Sequence, residues 1–225
     1  MKKTFIFALL LLLAGPLFAQ SRLEDVKRQV IDLSLKNTTN ESNQPKIREQ
    51  LRLLTSELVA LAGPVNEERW IQYSPGSWRQ IWSDEADNTG AGAPKRDLSQ
   101  IYQIISEQGW GFNFGVRQIS ENNNVTFALA VVASVSGNVQ TTEITNAYSR
   151  SGGLEDTTDL LALAEGIRNK ENTGFVERDA GRFPRGPIGA KGELTILFLD
   201  QDLKIGTAPN VYTGVVEMFV LKRID

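Results

Sequence analysis

Histidine and cysteine are both missing from the 225 residues. Without histidine there is no Ser-His-Asp triad, no imidazole base and no histidine-held metal. Without cysteine there is no thiol nucleophile, no disulfide, no thiolate zinc or iron–sulfur site and no lipidated thiol anchor. An excess of positive charge is lacking too: 24 Lys and Arg stand against 27 Asp and Glu, a formal net charge of −3. Phosphate backbones are held by clustered Lys and Arg, so nucleic acid is not an expected partner. Carboxylates, hydroxyls, Lys and Arg remain for chemistry, and no nucleophile–base pair can be named among them. The chain therefore reads as a non-enzyme, with no catalytic residues, no metal and no cofactor. What is present, 41% hydrophobic and 23% charged residues, has the balance of a globular protein.

The one long hydrophobic run is at the N-terminus. Lys2 and Lys3 precede an apolar stretch from Phe5 to Leu13, and Gly15-Pro16 is expected to break the helix before Leu17-Phe18-Ala19. This is the pattern of a secretory signal peptide, residues 1–19, cut after about Ala19. The apolar stretch stops short of the roughly 20 residues a spanning helix needs. The short Lys-Lys start looks bacterial, so the expected address is the periplasm or the outside of the cell. Cleavage removes two lysines and no acid, which takes the formal charge to −5.

Residues 20–62 read as a helical hairpin. Ser21 and Glu24 fit a capping box, and Leu23, Val26, Val30 and Leu33 form one stripe. After a polar link, Pro45 suits the first turn of a second helix whose stripe is Ile47, Leu51, Leu54, Leu58 and Leu61. Gly63-Pro64 ends it.

Residues 63–225 change to strand patterns. Ser77–Ser83, Ile101–Ile105, Gly111–Val116 and Val125–Val135 come first, and Gly137-Asn138 turns into Val139–Tyr148. In the long fourth run, Val125, Phe127, Leu129, Val131 and Val135 share one face, and Thr126, Ala128, Ala130, Val132 and Ser134 share the other. A bulky face backed by a small one suits a curved sheet covered on both sides. A helix over 156–168, capped by Asp156 or Thr157, is a candidate lid. Two final strands run near Leu194–Leu199 and Val215–Lys222. The fold class is mainly β with accessory helices (α+β): a lipocalin-like antiparallel β-barrel behind an N-terminal helical hairpin.

Few motifs carry chemistry. Asp200 and Asp202 could bind a hard cation or serve as an acid–base pair, but Asp-Gln-Asp between apolar runs reads first as a turn, with Lys204 pairing to one of them. Asp87-Asn88-Thr89-Gly90 lacks the form of an acid-protease motif and has no second copy. Gly90-Ala91-Gly92-Ala93-Pro94 lacks the lysine and the strand–helix setting of a phosphate loop. Arg178, Arg182, Arg185 and Lys191 stand against Asp179 in a loop rich in Gly and Pro. That loop is solvated, or could meet lipid headgroups as a peripheral membrane contact.

The aromatic residues offer the clearest site. Trp78 and Trp82 are expected on one strand face with Gln80 between them. Together with Phe112, Phe114 and Phe198 they would fill the core or line an apolar pocket, and in a barrel those two roles converge. Gln80, Tyr102, Arg182 and Arg185 are the polar candidates to orient a ligand.

Three stretches also carry a family resemblance. They are Ile47–Leu61 with Gly63-Pro64-Val65-Asn66; Gly76-Ser77-Trp78-Arg79-Gln80-Ile81-Trp82-Ser83; and Thr195-Ile196-Leu197-Phe198-Leu199-Asp200-Gln201-Asp202-Leu203-Lys204-Ile205-Gly206. They resemble the plastid lipid-associated protein (PAP/fibrillin) family, as an exported bacterial member. The resemblance implies a lipocalin-like barrel that carries or shelters a hydrophobic small molecule or lipid, without an agreed catalytic set. The export signal departs from that family's usual plastid or cytoplasmic address. The competing reading is a structural module with a filled barrel, docking a protein partner through the helical hairpin.

Overall fold

The computed structural model describes residues 2–38, 44–84, 95–121, 123–155, 157–182, 186–210 and 214–225, with backbone alone for 2–18, 95, 96 and 98. Helix α1 (Lys2–Lys36) is followed by α2 (Gln44–Ala62) and a short α3 (Glu67–Tyr73). The strands are β1 (Gly76–Ser83), β2 (Lys95–Ile105), β3 (Trp110–Ser120), β4 (Asn123–Ser136), β5 (Val139–Ser151), β6 (Val176–Glu177), β7 (Lys191–Leu199), β8 (Leu203–Pro209) and β9 (Val216–Arg223), with α4 (Leu160–Arg168) between β5 and β6. The ladder runs β4-β3-β2-β1-β9-β8-β7-β5, and β4 pairs again with β5. Eight antiparallel strands thus close into a barrel, and β6 lies outside it on β5. Closure gives every ladder strand two partners and leaves no long open edge.

The expected barrel and helical pair are present. Several local expectations are corrected. The α1 backbone continues through Gly15 and Pro16, because proline's φ suits a helix and the cost falls on one backbone bond. Ser21 is therefore not a cap, and Glu24 instead reaches Lys27 at 3.3 Å. Asp159, rather than Asp156 or Thr157, caps α4: its side chain accepts from Ala162 N at 3.0 Å. Asp156 lies outside the described residues, as do Asp87–Gly90 and the loop through Pro94.

Three elements escape the sequence patterns, the two-residue β6 among them. Strand β8 is short, and the lysine at its second position breaks its apolar reading. Helix α3 makes a single turn or two, signalled by Asn66, whose side chain accepts from Arg69 N at 2.9 Å, and by Glu67 and Glu68 in its first turn.

Three packed clusters position everything else. On one outer wall, Val26 and Val30 of α1 and Ile47, Leu51 and Leu58 of α2 cover Ile81, Trp82, Phe198, Ile205 and Val220. The stripes read from sequence are thus spent on the barrel. Arg22 joins Glu57 at 2.6 Å across the helix pair. Lys27, almost fully buried, is held by Asp200 at 2.7 Å and Asp202 at 2.9 Å. On the wall formed by β2, β3 and β4, Leu160, Ala164 and Ile167 of α4 pack on Tyr102, Ile104, Phe112, Phe114 and Ala128. The small face of β4 is the one this helix covers. The third cluster lies inside: Trp78, Ile105, Ala133, Ile196, Leu199 and Leu221 fill the lower barrel, sealed from below by Val65 and Trp70 at α3.

Candidate ligand-binding cavity

Above that filled lower half the barrel is hollow. A cavity of about 420 Å³ is walled by Ile101, Phe127, Leu129, Leu194, Phe219 and Leu221. It sits toward the ends of β2 and β3 that lead to Arg117, and Arg117, Thr142 and Glu193 reach its rim. Its volume falls in the range of roughly 300–1,000 Å³ typical of small-molecule sites. Phe127 is still 37% exposed, an aromatic ring presented to solvent from a barrel wall.

The space exists because of glycine as much as because of the barrel's width. Asn113, Gly115 and Arg117 alternate inward along β3. A Cβ built on Gly115 meets nothing within 4 Å. Beside it, Gly115 pairs with Phe127 across β3–β4, so the missing side chain leaves room above that ring.

The floor is polar. Lys204 Nζ, entirely buried, donates to Gln103 Oε1 at 2.9 Å and lies 3.4 Å from Ser74 Oγ. It also sits 4.6 Å from the centroid of the Trp78 ring, and Arg223 lies 4.4 Å from the same ring. Burial first, then the Arg223 charge, push the Lys204 ammonium down to about 7. Gln103 Nε2 in turn faces Asn113 Oδ1 at 3.4 Å. Gln140 Oε1 accepts the Trp70 indole N–H at 3.1 Å. Gln80, also in the lining, points Nε2 toward Ser83 Oγ at 3.2 Å.

The residues picked out from sequence are divided by the wall. Gln80 lines the cavity. Trp78 lies inside but below it, in the filled half. Trp82 does not share its face: a bulge between Gln80 and Trp82 in the β1–β9 register turns Trp82 outward under α1 and α2. Phe198 is outside with it, after a second bulge between Ile196 and Phe198. Tyr102 and Phe114 are among the residues that line the cavity, and Phe112 is not. All three rings pack outward, with Phe112 stacked on Phe114 at 5.7 Å beneath α4. Alternation explains this, because the inward members of the same strands are Ile101, Gln103 and Asn113. Arg182 is exposed and joins an isolated bridge to Ile188, and Arg185 lies outside the described residues. Arg117 is the arginine at the rim instead. Helix α4 is a side wall rather than a lid.

Asp200 and Asp202 make the expected turn. Asp200 Oδ1 accepts from the backbone N–H groups of Asp202 and Leu203, both at 2.9 Å. Their cation is Lys27, not Lys204, which β8 turns into the barrel. Lys27 is desolvated, yet hydrogen bonds to Asp200 and Asp202 outweigh that and raise its pKa. The Lys27 bond correspondingly holds Asp202 below the usual carboxylate range. Both acids are thereby occupied in holding α1 to the β7–β8 turn. Sequence reasoning missed Gln103, Asn113, Gln140 and Lys204. Their signal was present in part, as polar residues at inward positions of apolar strands.

In comparisons with protein-family models, curated proteins and solved structures, nothing matches this chain.

Proposed function

We propose that this protein is a non-enzymatic carrier that binds one hydrophobic small molecule or lipid inside its barrel, in the cell envelope or outside the cell. The single observation that supports this reading is the cavity of about 420 Å³, apolar along its walls and polar at its floor. Binding draws on apolar surface removed from water, about 25 cal/mol per Å². The polar floor then orients what enters. The resemblance to the plastid lipid-associated family favours the same reading, and the signal-peptide pattern at residues 1–19 favours export. The filled-barrel module has less support, since only the lower half is filled and the apolar stripes of the helical hairpin are used against the barrel wall.

Native mass spectrometry of protein purified from its own host, followed by solvent extraction, tests the proposal. An apolar molecule bound at one per chain is the expected result. Its absence from repeated preparations, with no uptake of added lipids or quinones, would overturn it.

A further inference from the structure

The amides of the cavity floor face one way, and the groups behind them fix that direction. An indole N–H can only donate. Trp70 therefore holds Gln140 by its oxygen, at 3.1 Å, and the Gln140 NH2 must face elsewhere. Gln140 is 1% exposed and lines the cavity, and its Nε2 makes no hydrogen bond among the described residues. A second chain of donors repeats the pattern. Lys204 Nζ takes the oxygen of Gln103, whose Nε2 faces the oxygen of Asn113. Each acceptor is thus used by the donor below it, and the free end of the chain is the Asn113 NH2 in the cavity lining. Gln80 is the exception, because the Ser83 hydroxyl can donate or accept and so leaves its amide undirected.

Charge points the same way as the donors. Among the described residues no carboxylate pairs with Lys204, whose partners are Gln103, Ser74 and the Trp78 ring. The other charge beside it is Arg223, on the same ring and engaged by Asp225 at 3.2 Å. A floor of N–H donors backed by an uncompensated amine is matched by a ligand that brings acceptors and negative charge.

We infer that the cavity takes a long-chain carboxylic acid head-first, its carboxylate on the floor made by Gln103, Asn113 and Gln140 and its hydrocarbon tail along Phe127, Leu129 and Phe219 toward the rim. This rests on the carrier reading and specifies its ligand class. A carboxylate on that floor lies one amide away from Lys204, so it favours the charged form of the amine. Binding therefore takes up a proton at a pH above that at which the free amine titrates.

Three probes of one chain length separate the possibilities: dodecanoate, dodecan-1-ol and the dodecyltrimethylammonium ion. Each is titrated by calorimetry, below its micelle concentration, into the wild type, Gln140→Leu and Lys204→Met, with circular dichroism reporting the fold. Dodecanoate is expected to bind roughly tenfold or more tighter than the alcohol, and the ammonium weakest. Both variants should narrow the gap between acid and alcohol. Equal affinities, or the ammonium binding best, would overturn the inference while leaving a carrier. No binding of any probe would overturn both. Should Lys204→Met fail to fold, the wild type decides alone. Its enthalpy for dodecanoate, compared in buffers of different ionisation enthalpy about one pH unit above the Lys204 value of about 7, should reveal net proton uptake. Zero uptake would overturn the inference.

Discussion

Lys27 Nζ on α1 lies 2.7 Å from Asp200 Oδ2 in the turn between β7 and β8. That contact joins the helical hairpin to the barrel beside the apolar stripe, one helical turn from Leu23 and Val30. Lys27 is 5% exposed and Asp202, its second partner, 49%. Lys27→Ala should therefore cost about 2 kcal/mol in urea unfolding, less than the roughly 3–5 kcal/mol of a fully buried pair because solvent screens Asp202. The effect should fade in acid. Asp202 is held below its usual range, so its contribution is present above the ordinary carboxylate value and is lost as pH falls through the lower folded one. A loss that stayed constant down to strongly acidic pH would argue against the ion pair.

Lys204 gives a dependence of the same sign in a higher pH window. Its folded value of about 7 is below the lysine value of 10.5 that the unfolded chain keeps. Between those two values the unfolded chain binds the extra proton, so stability rises with pH across that window. Below about pH 7 both states are protonated and the cost of the buried charge is complete. Lys204→Met should flatten this rise and stabilise the protein by a few kcal/mol near neutral pH, as when a buried ion gives way to an apolar side chain. Urea unfolding at several pH values reads both. An unchanged slope in the variant would assign the dependence to another group.

The wall covered by α4 should behave as core. Leu160 is 5% exposed in the cluster with Phe112 and Phe114, so Leu160→Ala should destabilise by about 2–4 kcal/mol. Asp159→Ala, which removes the cap on Ala162 N, should cost about 1 kcal/mol. Both are read by thermal or chemical unfolding. Neither changes a residue lining the cavity, so ligand affinity should be retained where the protein remains folded.

How far the sequence reached depends on the period of each pattern. The helix stripes at Val26, Val30, Ile47, Leu51 and Leu58 repeat over enough turns to be unambiguous, and each is buried where its spacing predicts. The two faces of β4 were equally legible, since strict alternation over a long strand leaves one assignment. Bulges are where alternation fails. One extra residue between Gln80 and Trp82 moves an indole from the inside of the barrel to the outside, and nothing in Gln80-Ile81-Trp82 announces it. Tyr102, Phe112 and Phe114 were drawn to the cavity by their aromaticity, but their wall has an outer cover in α4, and that face buries their rings. Lys204 was read as pairing with Asp200 or Asp202, because a lysine inside a barrel runs against its usual place.

Gly115 offers the cleanest change to the cavity itself. Gly115→Leu projects into space where a Cβ touches nothing, so it should fill the cavity without clash. Replacing a strand glycine should also stabilise the fold by about 0.5–1 kcal/mol. Loss of binding together with unchanged or higher stability is the expected pair of results.

The most direct measurement is native mass spectrometry of the wild type and Gly115→Leu, each incubated with dodecanoate at the same concentration. The account predicts one ligand per chain in the wild type and none in the folded variant. Equal occupancy of the two, or none in the wild type, would contradict a carrier whose ligand lies inside the barrel.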